Sequence, residues 1–270
     1  MDILEEIVAR KRLEVAARKE VLPPRQLYAR VEERLLASDR RPHLSMRRSL
    51  AESDSGIIAE FKRKSPSKGW IHADARLEDV VPFYAANGAA ALSILTDEPY
   101  FGGLPSFITD VRPLVPDTPV LRKDFIIDEY QLFEACDIGA DAVLLIAADL
   151  KPALFRSLLA TAHELGLEVL LEIHDPHELD YVVPEVDMLG VNNRHLGTFH
   201  TDVQQSYDIA RLLPSDFVLV SESGISAPQT VRELRAAGFR GFLIGETFMR
   251  EADPGAALRR FIQQLSSPES

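Results

Sequence analysis

The amino-acid sequence predicts a (β/α)8 TIM barrel with an N-terminal helical extension, and three observations lead there. From residue 57 onward, short aliphatic or β-branched runs recur at Ile57–Lys62, Ala91–Leu95, Pro119–Lys123, Ala142–Ile146, Val169–Glu172, Met188–Asn192, Phe217–Glu222 and Gly241–Ile244. Stretches of helical length fall between them, among them Leu77–Asn87, Glu129–Ile138, Pro152–Leu165, Pro228–Ala237 and Gly255–Leu265. Strands alternating with helices imply a parallel sheet whose faces are covered by the helices. The competing architecture is an open doubly wound sheet, which seldom needs eight parallel strands without a glycine-rich dinucleotide turn, and no G-x-G-x-x-G occurs. The 270 residues suit a one-domain barrel. Residues 1–270 are therefore expected to form a single domain, of which about 1–48 is the extension.

The extension begins with a helical pattern over residues 3–19, where Ile3, Leu4, Ile7 and Val8 share a stripe. Asp2 followed by Glu5 resembles a capping box, and Pro23-Pro24 ends the helix. A second charged helical stretch covers roughly Arg25–Ala37. A solvated helical pair is one reading. An extension packed on the main domain is preferred, because both apolar stripes are too short to fold alone.

Composition narrows the function classes. Hydrophobic residues make up 46% of the chain, which is ordinary for a globular protein. The formal net charge of −12 argues against general affinity for nucleic acid or anionic membranes, while allowing a locally basic pocket. Cys136 is the only cysteine, so no internal disulfide forms, as suits a reducing cytosol. No apolar run approaches the ~20 residues that cross a bilayer. Acidic residues stand near the start, where a secretory signal is basic. A cytoplasmic location is expected, with no nucleic-acid or membrane partner.

In a (β/α)8 barrel the active site lies at the C-terminal ends of the strands. The polar residues there are Glu60 and Lys62, Lys123, Glu172, Asn192 and Arg194, and Glu222 with Ser223. Along the first strand Ile58, Glu60 and Lys62 share one face, so a carboxylate and an ammonium point into the same enclosed space. A structural salt bridge is the bland alternative for that pair. Convergence of acids, lysines and an amide from several strands favours acid–base chemistry, and charges of mixed sign in one cavity are expected to shift pKa values.

A phosphate grip is the second expectation. Ser221-Glu222-Ser223-Gly224-Ile225-Ser226 closes the seventh strand and Leu243-Ile244-Gly245-Glu246 the eighth, with a short helix expected near Glu246. Glycines there let backbone N–H groups approach an anion, and loops after strands 7 and 8 are where this fold holds phosphate. Two tight turns would also want glycine, and the Glu246 carboxylate must point away from any anion. The seven histidines show no H-x-x-x-H or H-E-x-x-H spacing, so no metal site is expected. Cys136 reads as a packed residue of a helix.

Longer motifs run in order along the chain. They are Ile58-Ala59-Glu60-Phe61-Lys62-Arg63-Lys64-Ser65-Pro66-Ser67, Leu95-Thr96-Asp97 with Tyr100-Phe101-Gly102-Gly103, Leu121-Arg122-Lys123-Asp124-Phe125, Leu171-Glu172-Ile173-His174, Gly190-Val191-Asn192-Asn193-Arg194, Ser221-Glu222-Ser223-Gly224-Ile225 and Gly245-Glu246. In these the chain resembles the indole-3-glycerol phosphate synthase family. Leu104 and Glu246 stand at variable places. The resemblance implies closure of 1-(2-carboxyphenylamino)-1-deoxyribulose 5-phosphate to indole-3-glycerol phosphate with loss of CO2 and water, in tryptophan biosynthesis, without a cofactor. It implies catalytic roles for Glu60, Lys62, Lys123, Glu172, Asn192, Ser223 and Glu222. Ser65, Gly224, Gly245 and the Glu246 backbone are implied for phosphate, and Lys64 and Arg194 for the anthranilate carboxylate. A lysine acting as the acid is expected to have its pKa lowered by burial or neighbouring cations. With no second barrel after residue 270, the monofunctional form is expected. The rival readings are another phosphate-binding barrel, such as phosphoribosylanthranilate isomerase or a Schiff-base aldolase, and a catalytically silent metabolite-binding barrel.

Overall fold

The computed structural model describes residues 3–38, 41–195, 200–213 and 216–267. Three helices precede the barrel: α1 (Ile3–Val21), α2 (Pro24–Leu36) and α3 (Met46–Glu52). Pro24 occupies the first turn of α2, where its missing N–H costs nothing. The Asp2 half of the expected capping box lies outside the described residues.

The first barrel strand, β1 (Ile57–Phe61), is followed by a two-rung antiparallel hairpin of β2 (Lys64–Ser65) and β3 (Gly69–Trp70), which the sequence reading did not foresee. The other barrel strands are β4 (Ala91–Leu95), β5 (Val120–Lys123), β6 (Ala142–Ile146), β7 (Glu168–Ile173), β8 (Met188–Asn192), β9 (Val218–Glu222) and β10 (Phe239–Ile244). They pair in parallel and close in the order β1-β10-β9-β8-β7-β6-β5-β4. All eight expected strands form, each within two residues of its predicted bounds.

Outside the strands lie α4 (Leu77–Ala86), α5 (Glu98–Phe101), α6 (Ser106–Val111), α7 (Glu129–Ile138), α8 (Pro152–Glu164), α9 (Gln204–Ala210), α10 (Pro228–Ala236), α11 (Glu246–Met249) and α12 (Pro254–Ser266). The strands are buried on both faces, so their alternation separates two cores rather than core from solvent. Ile57, Ala59 and Phe61 belong to the layer under the helices, while Ile58 belongs to the barrel interior with Leu121, Leu170 and Val220.

The extension packs at both ends of the barrel. Met46 and Leu50 of α3 join the interior cluster and plug its N-terminal end. Ser45 caps α3 by accepting from the Arg48 N–H, and its hydroxyl donates to Glu168 at 2.5 Å. At the opposite end Leu4, Ile7, Val8, Lys11 and Val15 of α1 are buried. A packed extension, not a solvated pair, is what the apolar stripes build.

Candidate active site

The barrel interior changes character one layer below its C-terminal rim. Going up β1, β5, β7 and β9, the inward positions pass from Ile58, Leu121, Leu170 and Val220 to Glu60, Lys123, Glu172 and Glu222, two residues further along each strand. Alternate strands supply such layers in this fold, so one layer is aliphatic and the next is ionic. Above it a cavity of about 540 Å3 is lined by these four residues, Lys62, Asn192, Arg194, Ser223, Gly224, Gly245 and Glu246, among others. Ile3, Leu4 and Ile7 of α1 contribute an apolar wall.

The charged groups form one network. Lys123 Nζ donates to Glu172 Oε2 at 3.2 Å and lies 3.7 Å from Glu222 Oε2. Lys62 Nζ is 2.6 Å from Glu60 Oε1. Asn192 Nδ2 donates to Glu172 Oε1 at 3.1 Å, and His174 Nε2 approaches the same oxygen at 3.0 Å. Neither oxygen of Glu222 has a hydrogen-bond partner among the described residues.

Burial opposes charge on all of these groups, and neighbours decide the outcome. For Glu222, burial and the nearby Glu172 carboxylate push the pKa up to about 8, well above the usual carboxylate range. Glu172 shares the burial, yet Lys123, His174 and Asn192 hold it well below the usual carboxylate range. Lys123 departs from expectation. Burial alone would lower its pKa, but Glu172, Glu222 and Glu60 raise it above the ordinary lysine range. The surrounding charges are anionic, not cationic, so the ammonium is retained rather than loosened.

Two glycines make room for this ionic layer. A Cβ at Gly190 would stand 2.3 Å from Glu222 Oε1, and one at Gly245 would stand 2.2 Å from Glu60 Oε1. Gly245, expected on phosphate grounds, therefore also seats Glu60. The turn after β9 uses the left-handed region at Ser223 (φ 68°) and Gly224 (φ 80°). For serine that conformation is strained, and such strain concentrates at functional sites. Asn193 holds the turn by donating to Ser223 O at 3.0 Å. Glu246 starts α11 as expected, and its carboxylate lies 3.8 Å from Arg194 Nη2.

Two expected residues stand elsewhere. Lys64 does not line the cavity; its ammonium donates to Pro99 O at 2.7 Å and lies over the Trp70 ring. The hairpin turns it away, so the continued extension that would give it the parity of Lys62 does not occur. Ser65 is buried without reaching the cavity lining, and its hydroxyl has no partner among the described residues. Pro66, Ser67 and Lys68 of the hairpin turn line the cavity instead, and Arg194 Nη1 donates to Ser67 Oγ at 3.3 Å.

Sequence reasoning also passed over Arg250, Thr247 and the α1 wall, which line the cavity, and Lys11 and His174, which stand behind it. Lys11 had a legible signal, because a lysine follows Ile7 at helical spacing on an apolar stripe. His174 had one as well, since Glu172 stands two residues before it and Glu178 four residues after.

Barrel and site together define a (β/α)8 protein with a cluster of acids and lysines at the mouth of the strands. A family profile described as indole-3-glycerol phosphate synthase matches residues 4–261. Among curated proteins, an indole-3-glycerol phosphate synthase of Bacteroides thetaiotaomicron is 58% identical over 264 residues, covering 98% of this chain and 99% of its own. One from Paracidovorax citrulli is 43% identical, covering 96% and 98%. The chain belongs to the indole-3-glycerol phosphate synthase family. Solved structures with the same fold include 3-hexulose-6-phosphate synthase from Salmonella typhimurium (TM-score 0.60, 18% identity, 77% of this chain and 97% of that one). Thiamine phosphate pyrophosphorylase from Pyrococcus furiosus is another (TM-score 0.57, 15% identity, 82% and 98%). At those identities the likeness is one of fold.

Proposed function

We propose that the cavity closes 1-(2-carboxyphenylamino)-1-deoxyribulose 5-phosphate to indole-3-glycerol phosphate, releasing CO2 and water. The activity is that of an indole-3-glycerol phosphate synthase, a carboxy-lyase of tryptophan biosynthesis. The observation that carries the assignment of roles is the ionic layer, in which the Lys123 ammonium donates to Glu172 at 3.2 Å and lies 3.7 Å from Glu222.

Ring closure turns the ribulose carbonyl into a hydroxyl, so its oxygen needs a proton. Lys123 is the proposed donor, with Lys62 sharing that role or acting in dehydration. An ammonium with a raised pKa is a weaker acid, but it is always charged, and so it polarises the carbonyl before it gives up its proton. Loss of CO2 restores aromaticity. Dehydration then needs a base and an acid, and Glu172 is the proposed base. Glu222, whose carboxyl is raised toward its protonated form, is the proposed proton source beside Lys123. Glu60 holds Lys62, and Asn192 and Ser223 orient substrate hydroxyls.

Arg194 is proposed for the anthranilate carboxylate, without Lys64, whose ammonium is engaged at Pro99. The phosphate is proposed to sit against Gly224, Gly245 and the Glu246 N–H, without Ser65, which does not line the cavity. We also propose that the extension and barrel form one domain and that the protein works in the cytoplasm. Among the described residues no helix is long and apolar enough to cross a membrane.

Turnover of the carboxyphenylamino substrate, followed by indole fluorescence, tests the reading. Production of indole-3-glycerol phosphate is expected. Pure, folded protein without turnover overturns it, and a borohydride-trapped adduct on Lys123 or Lys62 would favour the aldolase.

A further inference from the structure

Glu172 is gripped from the side opposite the cavity by an imidazole that does not itself line the cavity. His174 Nε2 lies 3.0 Å from Glu172 Oε1, and Nδ1 lies 3.8 Å from Glu178 Oε2. The ring nitrogens make these approaches as ion contacts, not as aligned hydrogen bonds. Two backbone bonds fix the residue. Its N–H donates to Glu178 Oε2 at 2.6 Å, and its carbonyl accepts from Gln205 Nε2 of α9. Gln205 also donates to Asn192 O at 3.0 Å, so one side chain ties together the two residues that contact Glu172 Oε1.

We propose that His174 is a positioning residue for Glu172, a clamp that with Asn192 occupies Oε1 and so leaves Oε2 to Lys123 and the cavity. This rests on the role proposed for Glu172. The clamp works because the imidazole sits between carboxylates. Facing it are Glu172 from β7, Glu178 from the 3-10 turn Pro176–Tyr181, and Asp149 from the 3-10 turn Ala147–Asp149 after β6. Lys123 from β5 stands beyond Glu172, and Gln205 offers only a neutral amide. Burial opposes the imidazolium, but Glu172 and Glu178 raise the His174 pKa to about 10. The ring therefore carries a positive charge throughout the neutral range. A carboxylate with a fixed cation on one oxygen keeps one orientation, which proton transfer at the other oxygen requires. The charge also keeps Glu172 ionised, and removing it raises the pH at which Glu172 becomes a base.

Imidazole 15N shifts of the wild-type protein, assigned by the signal lost in His174→Gln, read the charge directly. An imidazolium at pH 8 is expected, and Glu178→Gln should bring its titration down toward the ordinary range near ~6.5. A neutral His174 ring at pH 8 in the wild type overturns the clamp, and through-bond assignment of the wild-type ring serves if His174→Gln does not fold. In kinetics His174→Gln is expected to lower kcat roughly 10- to 100-fold with KM changed less than about threefold. The acid limb of kcat/KM should move up by about one pH unit. An unmoved acid limb with kcat within about twofold of wild type reduces His174 to packing. If the wild type turns over no carboxyphenylamino substrate, the functional reading fails instead, and the 15N result stands apart from it.

Discussion

Two lysines at the same end of the barrel sit among carboxylates, one fully buried and one at the cavity. Lys11 of α1 is fully buried and contacts Asp97 at 2.8 Å, Asp124 at 2.9 Å and Glu14 at 2.9 Å. Its neighbour Asp124 is saturated. One oxygen accepts from the Phe125 N–H at 2.9 Å, and the other accepts from Thr96 Oγ1 at 2.7 Å and Arg122 Nη2 at 3.1 Å. That environment overcomes burial and pulls Asp124 far below the carboxylate range. Lys123 lies one residue away in sequence and is also surrounded by carboxylates, yet Glu222 beside it has no hydrogen-bond partner among the described residues. Three carboxylates on one ammonium make the Lys11 cluster a fastening that holds α1 over the mouth. The Lys123 cluster instead lines the cavity, where the proposed proton transfers would take place.

The largest effect should separate the two lysines by function. Lys123→Ala is expected to lower kcat by roughly two or more orders of magnitude, as removal of a general acid does. A near-wild-type rate would take Lys123 out of that role. Lys11→Met should act on folding, since it strands three carboxylates around one deleted cation. Loss of about 3–5 kcal/mol in denaturant unfolding is expected, the usual cost of breaking a buried pair from one side. A cost below about 1 kcal/mol would place Lys11 with surface pairs instead.

Glu222→Gln sharpens the contrast through pH. Folding raises this carboxyl from 4.5 to about 8, so its protonated form stabilises the fold fully below pH 4.5 and that contribution fades as pH rises through 8. The stability of the variant relative to wild type should therefore grow between pH 5 and pH 9, by at least roughly 1 kcal/mol. A flat difference would mean that Glu222 is ionised at neutral pH. Smallest is Gly190→Ala, whose methyl would press on the Glu222 carboxylate and, less closely, on Leu170 Cδ1 at 3.3 Å. A fall in kcat of about tenfold with little change in Tm is expected. Unchanged kcat would show that the carboxylate position is not critical.

The barrel was legible because its strands are buried on both faces and read as short aliphatic runs with polar residues at their ends. The extension was legible by its apolar stripes, though not its division into a plug and a wall. The hairpin Lys64–Trp70 was not foreseen, since a two-rung ladder leaves too little periodicity to see. That omission misplaced Lys64, whose direction depends on where the extended chain stops.

Glu60, Lys123, Glu172 and Glu222 follow from the chain alone, because strand parity and the position of a strand end are local properties. Their protonation is not local. Lys123 keeps its proton because Glu172, Glu222 and Glu60 arrive from three other strands, and the Glu222 pKa is raised by burial and by Glu172, which stands two strands along the barrel. Sequence therefore determined which groups arrive at the mouth. Closure of the barrel decided their charges, because pKa depends on distances between strands that the chain order does not contain.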